Sequence, residues 1–455
     1  MTRVLPADYL VVGAGALGLG FTDTLIDHSA ARVVLVDRRS GVGGHWREAY
    51  PFVRLHQSSC FYGVASTLLG GGQLQASGPE AGLQERASQP EIVSYYERVL
   101  ARMVATSRVD FLPDSDFDGH RTVTSRTSGE RFEVPESCRI VNAHYLAPAI
   151  PAEVPPPFSV AADARVLPVN DLPLPGEAPK QYVIVGSGKT ATDAIVWLLG
   201  EGVDPGAICW VRPRDPWMLN RARVQPDPAT FFGLAADIMQ SVVLSSSLDD
   251  AFLRMEEAGA MLRIDRSVTP TMAKTPTLAE WELELLRTVE DVVRLGRIRS
   301  VSRGRLDLDD GSVRVADDAV VVHCAADGLK NPPIVPVWRP SDITIQPIRA
   351  GFPCFGAALV GYVEATRHDD AEKNRVCSPS QYGNSLEQWA SMNLLGTRNA
   401  QAFSAEPDIK EWADGVALNP ARVPAGYPVS AALDDARERL GRFTGPALER
   451  LAGFC

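Results

Sequence analysis

The sequence predicts an α/β protein with two Rossmann-like dinucleotide-binding domains, the second inserted in the first. A glycine-rich turn, Gly13-x-Gly15-x-x-Gly18, follows an apolar run, and a similar turn, Gly186-x-Gly188-x-x-Ala191, follows another. Each turn leads into a helical pattern, which is the strand–turn–helix context that these motifs require. The proline-rich stretch 148–179 indicates a boundary, because proline extends neither a helix nor a central strand. The expected domains are 1–170 with 318–455, and 175–317 with a helical insertion at about 225–295.

Composition limits the possible partners. The 455 residues are 45% hydrophobic and carry a formal charge of −11, which argues against a nucleic-acid or anionic-membrane partner. No apolar run approaches the roughly 20 residues of a membrane span. The seven cysteines form no C-x-x-C pair, so we expect reduced thiols and a cytoplasmic protein. The seven histidines show no metal-ligand spacing, so no metal is expected.

The first turn is predicted to bind a dinucleotide. Gly13 allows the tight turn, Gly15 lets a pyrophosphate approach the backbone, and Gly18 permits close packing of helix and strand. The phosphates would lie at the amides of the helix N-terminus, including those of Ala16 and Leu17. A second apolar run ends in Asp37, about 20 residues past the glycines, where an acid accepts the ribose hydroxyls. The alternative is a glycine turn with a chance acid.

An aromatic segment comes after this motif. Gly44, His45 and Trp46 precede a stretch, 50–64, that is rich in aromatic and hydrogen-bonding side chains and contains His56 and Gln57. Such a mixture suits a flat heteroaromatic ligand, whose faces are apolar and whose edges are polar. The alternative is a loop whose aromatic residues fill the core.

The second turn differs from the first in the charge that comes after its next apolar run. Arg212 stands directly after that run, with Arg214 close by, and no acid is present at that point. A cation there suits the 2′-phosphate of NADP, which an acid would repel. The first site is therefore expected to hold FAD and the second NADPH. Two surface arginines are the alternative.

The remaining pattern predicts further elements. We expect a helix at 90–104, strands of a small antiparallel insertion at 109–112, 121–124 and 131–134, and a return to the main sheet at 139–143. A helix is expected at 277–295 with Thr277 as its cap, and a hairpin turn at 307–311. The strand and loop at 319–328 should rejoin the first domain. A helix at 385–403 should cover the flavin.

These motifs as an ordered set (Gly13-x-Gly15-x-x-Gly18, Asp37, Gly43-Gly44-x-Trp46, Gly186-x-Gly188-x-x-Ala191, Arg212) resemble those of the flavin-containing monooxygenases and their Baeyer–Villiger and N-hydroxylating relatives. The resemblance implies that NADPH reduces FAD, that O2 then forms a flavin C4a-(hydro)peroxide, and that the nicotinamide shields it. Gln57 aligns loosely with a family asparagine near the reactive edge of the flavin. The candidate catalytic residues are Gln57, His45 and His56. The candidate cofactor-binding residues are Gly13, Gly15, Ala16, Leu17, Gly18, Asp37, Arg38, Gly44, His45, Trp46, Gln57, Gly186, Ser187, Gly188, Lys189, Thr190, Arg212 and Arg214.

The leading functional hypothesis is an FAD-dependent, NADPH-using monooxygenase that inserts one oxygen atom from O2 into a small organic substrate at nitrogen, sulfur or carbon. The alternatives are an NADPH-dependent flavoprotein reductase and a non-catalytic FAD-binding redox sensor. The missing C-x-x-C pair argues against thiol–disulfide chemistry. A homodimer is left open.

Overall fold

The computed structural model describes residues 3–174, 176–326 and 329–455 and has the expected α/β fold. Asp327 and Gly328, at the end of the predicted strand and loop 319–328, lie outside the described residues. The strands are β1 Arg3–Val4, β2 Tyr9–Val12, β3 Val33–Val36, β4 Val109–Leu112, β5 Ser115–Phe117, β6 Thr122–Ser125, β7 Arg131–Glu133, β8 Arg139–Asn142, β9 Ser159–Val160, β10 Arg165–Pro168, β11 Tyr182–Val185, β12 Ile208–Val211, β13 Trp217–Asn220, β14 Met261–Arg263, β15 Thr277–Leu278, β16 Val292–Val293, β17 Ile298–Ser302, β18 Arg305–Leu308, β19 Gly311–Arg314, β20 Val320–His323 and β21 Asp342–Thr344.

The helices begin and end at residues suited to those positions. Ser88 precedes α2, and its amide donates to the Glu91 carboxylate (2.7 Å), while Pro90 lies in the first turn. Ser385 caps α9 by accepting from the amide of Gln388. The helices are α1 Ala16–His28, α2 Gln89–Ala105, α3 Lys189–Gly200, α4 Pro228–Leu244, α5 Leu248–Glu257, α6 Glu280–Arg287, α7 Pro353–Thr366, α8 Asp370–Val376, α9 Leu386–Ser404, α10 Pro407–Gly415 and α11 Ala431–Phe454.

The first parallel sheet has the strand order β21-β8-β2-β3-β4. Its apolar strands are buried because helices cover one face, which includes Val11 and Leu35, and the small antiparallel insertion covers the other, which includes Leu10 and Val34. Helix α1 packs closely on α7, where a side chain at Gly361 would come within 2.5 Å of the Phe21 carbonyl oxygen. Strand β4 belongs to this sheet, so its expected place in the antiparallel insertion was wrong; it pairs in parallel with β3. The insertion itself consists of β5, β6 and β7, with β1 at its edge.

The second parallel sheet has the order β10-β20-β11-β12-β16. Strand β20 pairs with β10 and β11 in this sheet, so the expectation that it rejoins the first domain was wrong. Strand β21 makes that return instead. The expected domain limits at 170 and 318 therefore do not coincide with the sheets. Strands β10 and β20 fall in the ranges assigned to the first domain, but both belong to the second sheet. The hairpin between β18 and β19 forms as expected.

The insertion between β12 and β16 is helical only in part. Helices α4, α5 and α6 accompany a small sheet, β14-β13-β15, and α4 packs on the C-terminal helix α11. The expected helix 277–295 is shorter: Thr277 lies in β15, and α6 begins at Glu280 and ends at Arg287. Tertiary pairing with β13 takes Thr277 out of the helix. The Glu282 carboxylate accepts the Ala279 amide at the true start (2.8 Å).

Candidate functional site: two glycine turns on one cavity

The first glycine turn has the geometry of a phosphate site. Gly13 adopts a φ of +105°, and α1 begins two residues after Ala14 with no side chain capping its first turn and no acid within it. The amides at this positive helix end are thus left for an anion. A side chain at Gly18 would place its Cβ 1.9 Å from the Gly13 carbonyl oxygen, so only glycine fits there.

The Asp37 carboxylate is held beside this turn by hydrogen bonds from two backbone amides. Its Oδ2 accepts from the amide of Ala14 (2.7 Å) and its Oδ1 from the amide of Arg39 (2.9 Å). The carboxylate is almost fully buried yet lines the large cavity that both glycine turns share. It is therefore positioned next to the phosphate site with little freedom to move, as a ribose contact requires.

The segment after Gly43 packs directly on the first turn. Gly44 has a φ of +60°, and a Cβ there would lie 3.1 Å from the Cα of Gly15. Both residues must be small for the short 3-10 helix Gly44–Glu48 to reach the turn. Trp46 comes next, and its Nε1 donates to the Tyr62 hydroxyl at 2.6 Å. This bond ties the two ends of the aromatic segment together.

His45 and His56 are neutral at neutral pH. Burial lowers the pKa of His45 to about 4, with Arg39 adding to the effect, and lowers that of His56 to about 3, assisted by nearby cations. The Nδ1 of His56 lies 3.4 Å from the amide nitrogen of Thr277, which donates to it. Nε2 then carries the proton, so His56 offers a neutral N–H donor rather than an imidazolium.

Gln57 has an unused amide. The side chain lines the cavity, is 6% exposed, and has no hydrogen-bond partner among the described residues. Its backbone is fixed next to His56, whose carbonyl oxygen accepts from Arg221 Nε (2.9 Å) and from the Thr277 hydroxyl. Because this amide faces the cavity and bonds none of the described residues, its donors and acceptor are available to a bound ligand.

The second turn repeats the first. Gly186 has a φ of +126°, and α3 begins after Gly188 without a side-chain cap or an acid in its first turn. Lys189 forms an ion pair with the carboxylate of Asp193, which also accepts from the Tyr50 hydroxyl (2.7 Å). This contact links the second turn to the aromatic segment of the first.

The two arginines after β12 have different surroundings. Arg212 is 1% exposed, pairs with Asp215 at 3.0 Å, and lies 4.4 Å from the ring centre of Trp210. Burial lowers its pKa to about 10, which leaves it charged. It does not line the cavity. Arg214 is exposed and does line it.

One cavity of about 1850 Å³ connects both turns. Ligand pockets usually measure about 300–1,000 Å³, so this volume leaves room for more than one ligand. Every candidate residue lines it except Gly18, which packs behind the first turn, and Arg212. The lining candidates are Gly13, Gly15, Ala16, Leu17, Asp37, Arg38, Gly44, His45, Trp46, His56, Gln57, Gly186, Ser187, Gly188, Lys189, Thr190 and Arg214.

Sequence analysis missed several cavity residues. Arg297 and Arg299 come after β16, the parallel neighbour of β12, so they leave the sheet at the same end as Arg214. The sequence signal for them was the alternation of Arg297 and Arg299 around the apolar Ile298, which places both arginines on the same face of the chain. Arg349 and the apolar face of α4 also line the cavity, and no motif indicated them; α9, which was expected to cover the flavin, lines it as well.

The donor groups fit the two dinucleotides expected from the sequence. Two uncapped helix ends suit two pyrophosphates, and the acid beside the first turn contrasts with the exposed cations near the second. Within residues 3–174, 176–326 and 329–455, no group of three or more His, Cys, Asp or Glu side chains is arranged to hold a metal ion. No helix in these ranges combines the length and apolar character needed to cross a bilayer.

Comparison by sequence and comparison by structure found different sets of similar proteins. No protein-family model matches the chain. Rv2000 of Mycobacterium tuberculosis and Mb2023 of Mycobacterium bovis are each 39% identical over 421 residues, which cover 92% of this chain and 78% of the relative. Their names state no activity.

Two crystal structures of cyclohexanone monooxygenase resemble the chain. The open form is 16% identical with a TM-score of 0.51 and covers 90% of this chain and 99% of that one. The ε-caprolactone-bound form is 15% identical with a TM-score of 0.52 and covers 88% and 98%. Such distant matches establish the fold, and at that level they confirm the resemblance to flavin monooxygenases. The chain therefore belongs to the family of the mycobacterial proteins Rv2000 and Mb2023, and it has the flavin-monooxygenase fold.

Proposed function

We propose that this protein is an FAD-dependent, NADPH-using monooxygenase that transfers one oxygen atom from O2 to a small organic substrate. The observation that carries the proposal is the single cavity onto which two uncapped glycine turns open. Two dinucleotides bound there would share one space, which hydride transfer between them requires. Bound FAD would supply the redox and oxygen chemistry, and the protein would supply binding, orientation and exclusion of water.

The first turn would hold FAD. The amides at Gly15 and Ala16 would bind the pyrophosphate, and Asp37 would accept the ribose hydroxyls. The aromatic segment that starts at Gly44 would carry the flavin ring, with Trp46 fixed by Tyr62. Helix α9 lines the cavity through Trp389 and Met392, which supports the expectation that it covers this ring.

Gln57 and His56 would support the oxygen chemistry. Both can donate a neutral N–H into the cavity, and such a donor stabilises a developing negative charge without delivering a full positive one. The burial that keeps His56 neutral also favours the exclusion of water. His45 is assigned a flavin contact because it lies in the short 3-10 helix that begins at Gly44 and packs on the first glycine turn; like His56 it is neutral at neutral pH and would not act as a general acid.

The second turn would hold NADPH, with its 2′-phosphate near Arg214 and Arg297. Both are exposed, line the cavity and carry no carboxylate partner among the described residues. Replacing both with Met should raise the KM for NADPH about tenfold and leave the KM for NADH unchanged. Arg303→Met is the matched control, since Arg303 is an exposed arginine outside this cavity. An equal change in KM for NADPH and NADH would contradict the assignment of Arg214 and Arg297 to the 2′-phosphate.

The oxygenase proposal is tested on FAD-loaded protein. It is reduced with NADPH without oxygen and then mixed with O2 in a stopped-flow instrument. A transient absorbance that differs from oxidised and reduced flavin, and decays slowly while NADP is bound, is the expected result. Immediate return to oxidised flavin with stoichiometric hydrogen peroxide, with every substrate tried, would favour the reductase. Protein that binds FAD but does not oxidise NADPH would favour the redox sensor.

A further inference from the structure

Arg349 lies on a rigid segment between β21 and α7. The carbonyl oxygen of Ile348 accepts from Asn399 Nδ2 at 3.0 Å, and Ala350 packs against Gly396, where a Cβ would come within 2.8 Å of the Ala350 nitrogen. Both contacts come from α9. The backbone of Arg349 is therefore fixed, and its side chain enters the cavity from a defined place.

The guanidinium of Arg349 has no anionic partner in residues 3–174, 176–326 and 329–455. Its Cζ lies 6.0 Å from the ring centre of Phe231 on α4, and no carboxylate among the described residues is within ion-pair distance. Burial lowers its pKa to about 10, so it remains charged at neutral pH. Other cations in the cavity wall that are shielded from bulk solvent are paired: Arg39 with Glu48, and Lys189 with Asp193. A guanidinium that is half-buried in a cavity wall and makes no side-chain hydrogen bond to the described residues favours an anion from outside the protein.

The walls around Arg349 are apolar. Phe231 and Phe352 are 5.7 Å apart between ring centres, and Phe61 packs on the edge of Phe352 at 5.2 Å. This part of the cavity is distant in the chain from both glycine turns and is formed by the helical elements. Apolar side chains from α4, α9 and α11 include Leu234, Ile238, Met239, Trp389, Met392 and Leu440, and the polar side chains from these helices are the uncharged Asn393, Thr397 and Thr444.

We propose that the substrate is a hydrophobic monocarboxylate, whose carboxylate binds Arg349 while its apolar body lies among α4, α9 and α11. A guanidinium matches the planar carboxylate with two parallel hydrogen bonds, and one cation in an apolar wall matches one negative charge. The two pyrophosphates have their own sites at the helix ends. This inference rests on the proposed function, because it names the substrate of that reaction. The test below measures binding at equilibrium and needs no turnover.

The test uses two matched pairs of probes on FAD-loaded protein: octanoate with octanamide, and 4-phenylbutyrate with 4-phenylbutyramide. Dissociation constants come from calorimetry and from the change in flavin absorbance at pH 7.5. We expect each acid to bind about tenfold or more tightly than its amide. Arg349→Met should abolish this preference and leave the amide affinity within about twofold, and Arg349→Lys should restore part of it. Arg54→Met is the control, because Arg54 lines the same cavity but is exposed and bonds a carbonyl oxygen.

Three results would overturn the inference. The first is that neither acid binds better than its amide. The second is that Arg349→Met weakens acid and amide equally. The third is that it shifts the flavin midpoint potential while the preference for acids persists, which would assign Arg349 to the flavin. Acid preference without oxygen transfer would reject the oxygenase proposal and keep the carboxylate site, so the two failures are distinguishable.

Discussion

The two glycine turns place their decisive residues at equivalent positions and use them differently. Val12 pairs with Val36 in the first sheet, and Val185 pairs with Val211 in the second, so Asp37 and Arg212 each come directly after the strand next to the turn. Asp37 points back to the turn and accepts the Ala14 amide. Arg212 points away and pairs with Asp215 over the ring of Trp210.

The difference arises from side-chain length and surroundings. A short carboxylate can reach the amide of the adjacent turn, whereas a long guanidinium finds a buried carboxylate and an aromatic face on its own side. Equivalent positions in a repeated motif thus do not guarantee equivalent roles. Arg214, two residues on, is the cation that lines the cavity.

The largest expected effect concerns the last small residue of each glycine motif, Gly18 in the first turn and Ala191 in the second. Gly18→Ala should prevent FAD retention and destabilise the fold by about 3 kcal/mol, because its Cβ collides with the Gly13 carbonyl oxygen. The matching residue of the second turn, Ala191, already carries a Cβ, so Ala191→Gly should cost only about 1 kcal/mol. FAD content after gel filtration and urea unfolding measure both. Equal behaviour of the two variants would contradict the comparison.

Arg212→Met should affect stability more than coenzyme binding. It leaves Asp215 with Arg294 as its remaining partner (2.9 Å), and we expect a loss of about 2–3 kcal/mol in the free energy of unfolding. The dissociation constant for NADPH should stay within about twofold. Unfolding in urea and fluorescence titration with NADPH separate the effects. If the variant were as stable as the natural protein but bound NADPH weakly, Arg212 would be assigned to the coenzyme site.

Asp37→Asn should weaken FAD binding about 10- to 100-fold, since the ribose contact loses its charge. NADPH binding to the second turn should not change. Asp193→Asn is the comparison at the second turn, where the loss of the Lys189 partner should alter NADPH binding and leave FAD affinity intact. Equilibrium dialysis of FAD and titration with NADPH provide the two constants. If Asp37→Asn changed NADPH binding and Asp193→Asn changed FAD binding, the two sites would be assigned the other way round.

The smallest expected effect is the contribution of a single histidine of the first site to the pH dependence of stability. His45 and His56 have pKa values of about 4 and 3 in the folded protein, below the unfolded value of about 6.5. The unfolded chain therefore takes up protons first, and stability present above pH 6.5 is lost as the pH falls toward 4. At pH 5 the loss should be about 1–2 kcal/mol per histidine. His45→Gln should reduce the change in melting temperature between pH 7 and pH 5; an unchanged slope would contradict the assigned burial.

Local patterns allowed much of the fold to be predicted. The strand–glycine–helix units, helix α2 with Pro90, helix α9 with its Ser385 cap, and the hairpin β18–β19 all depend on residues close in sequence. Strand partners depend on distant segments, and there the errors arose. Strands β4 and β20 were identified as strands and assigned to the wrong sheets.

The sequence by itself determined the two glycine turns, because steric limits at Gly13, Gly18 and Gly186 act within a few residues. Only the tertiary structure decided which charges face the cavity. It buried Arg212 against Asp215, left Arg214 at the cavity wall, and placed the guanidinium of Arg349, which has no carboxylate partner in the part of the chain described, among apolar side chains of the helices. The partners of Arg212 are near it in sequence, but the walls of the cavity come from segments far along the chain, so local sequence alone does not show which charged group faces the cavity.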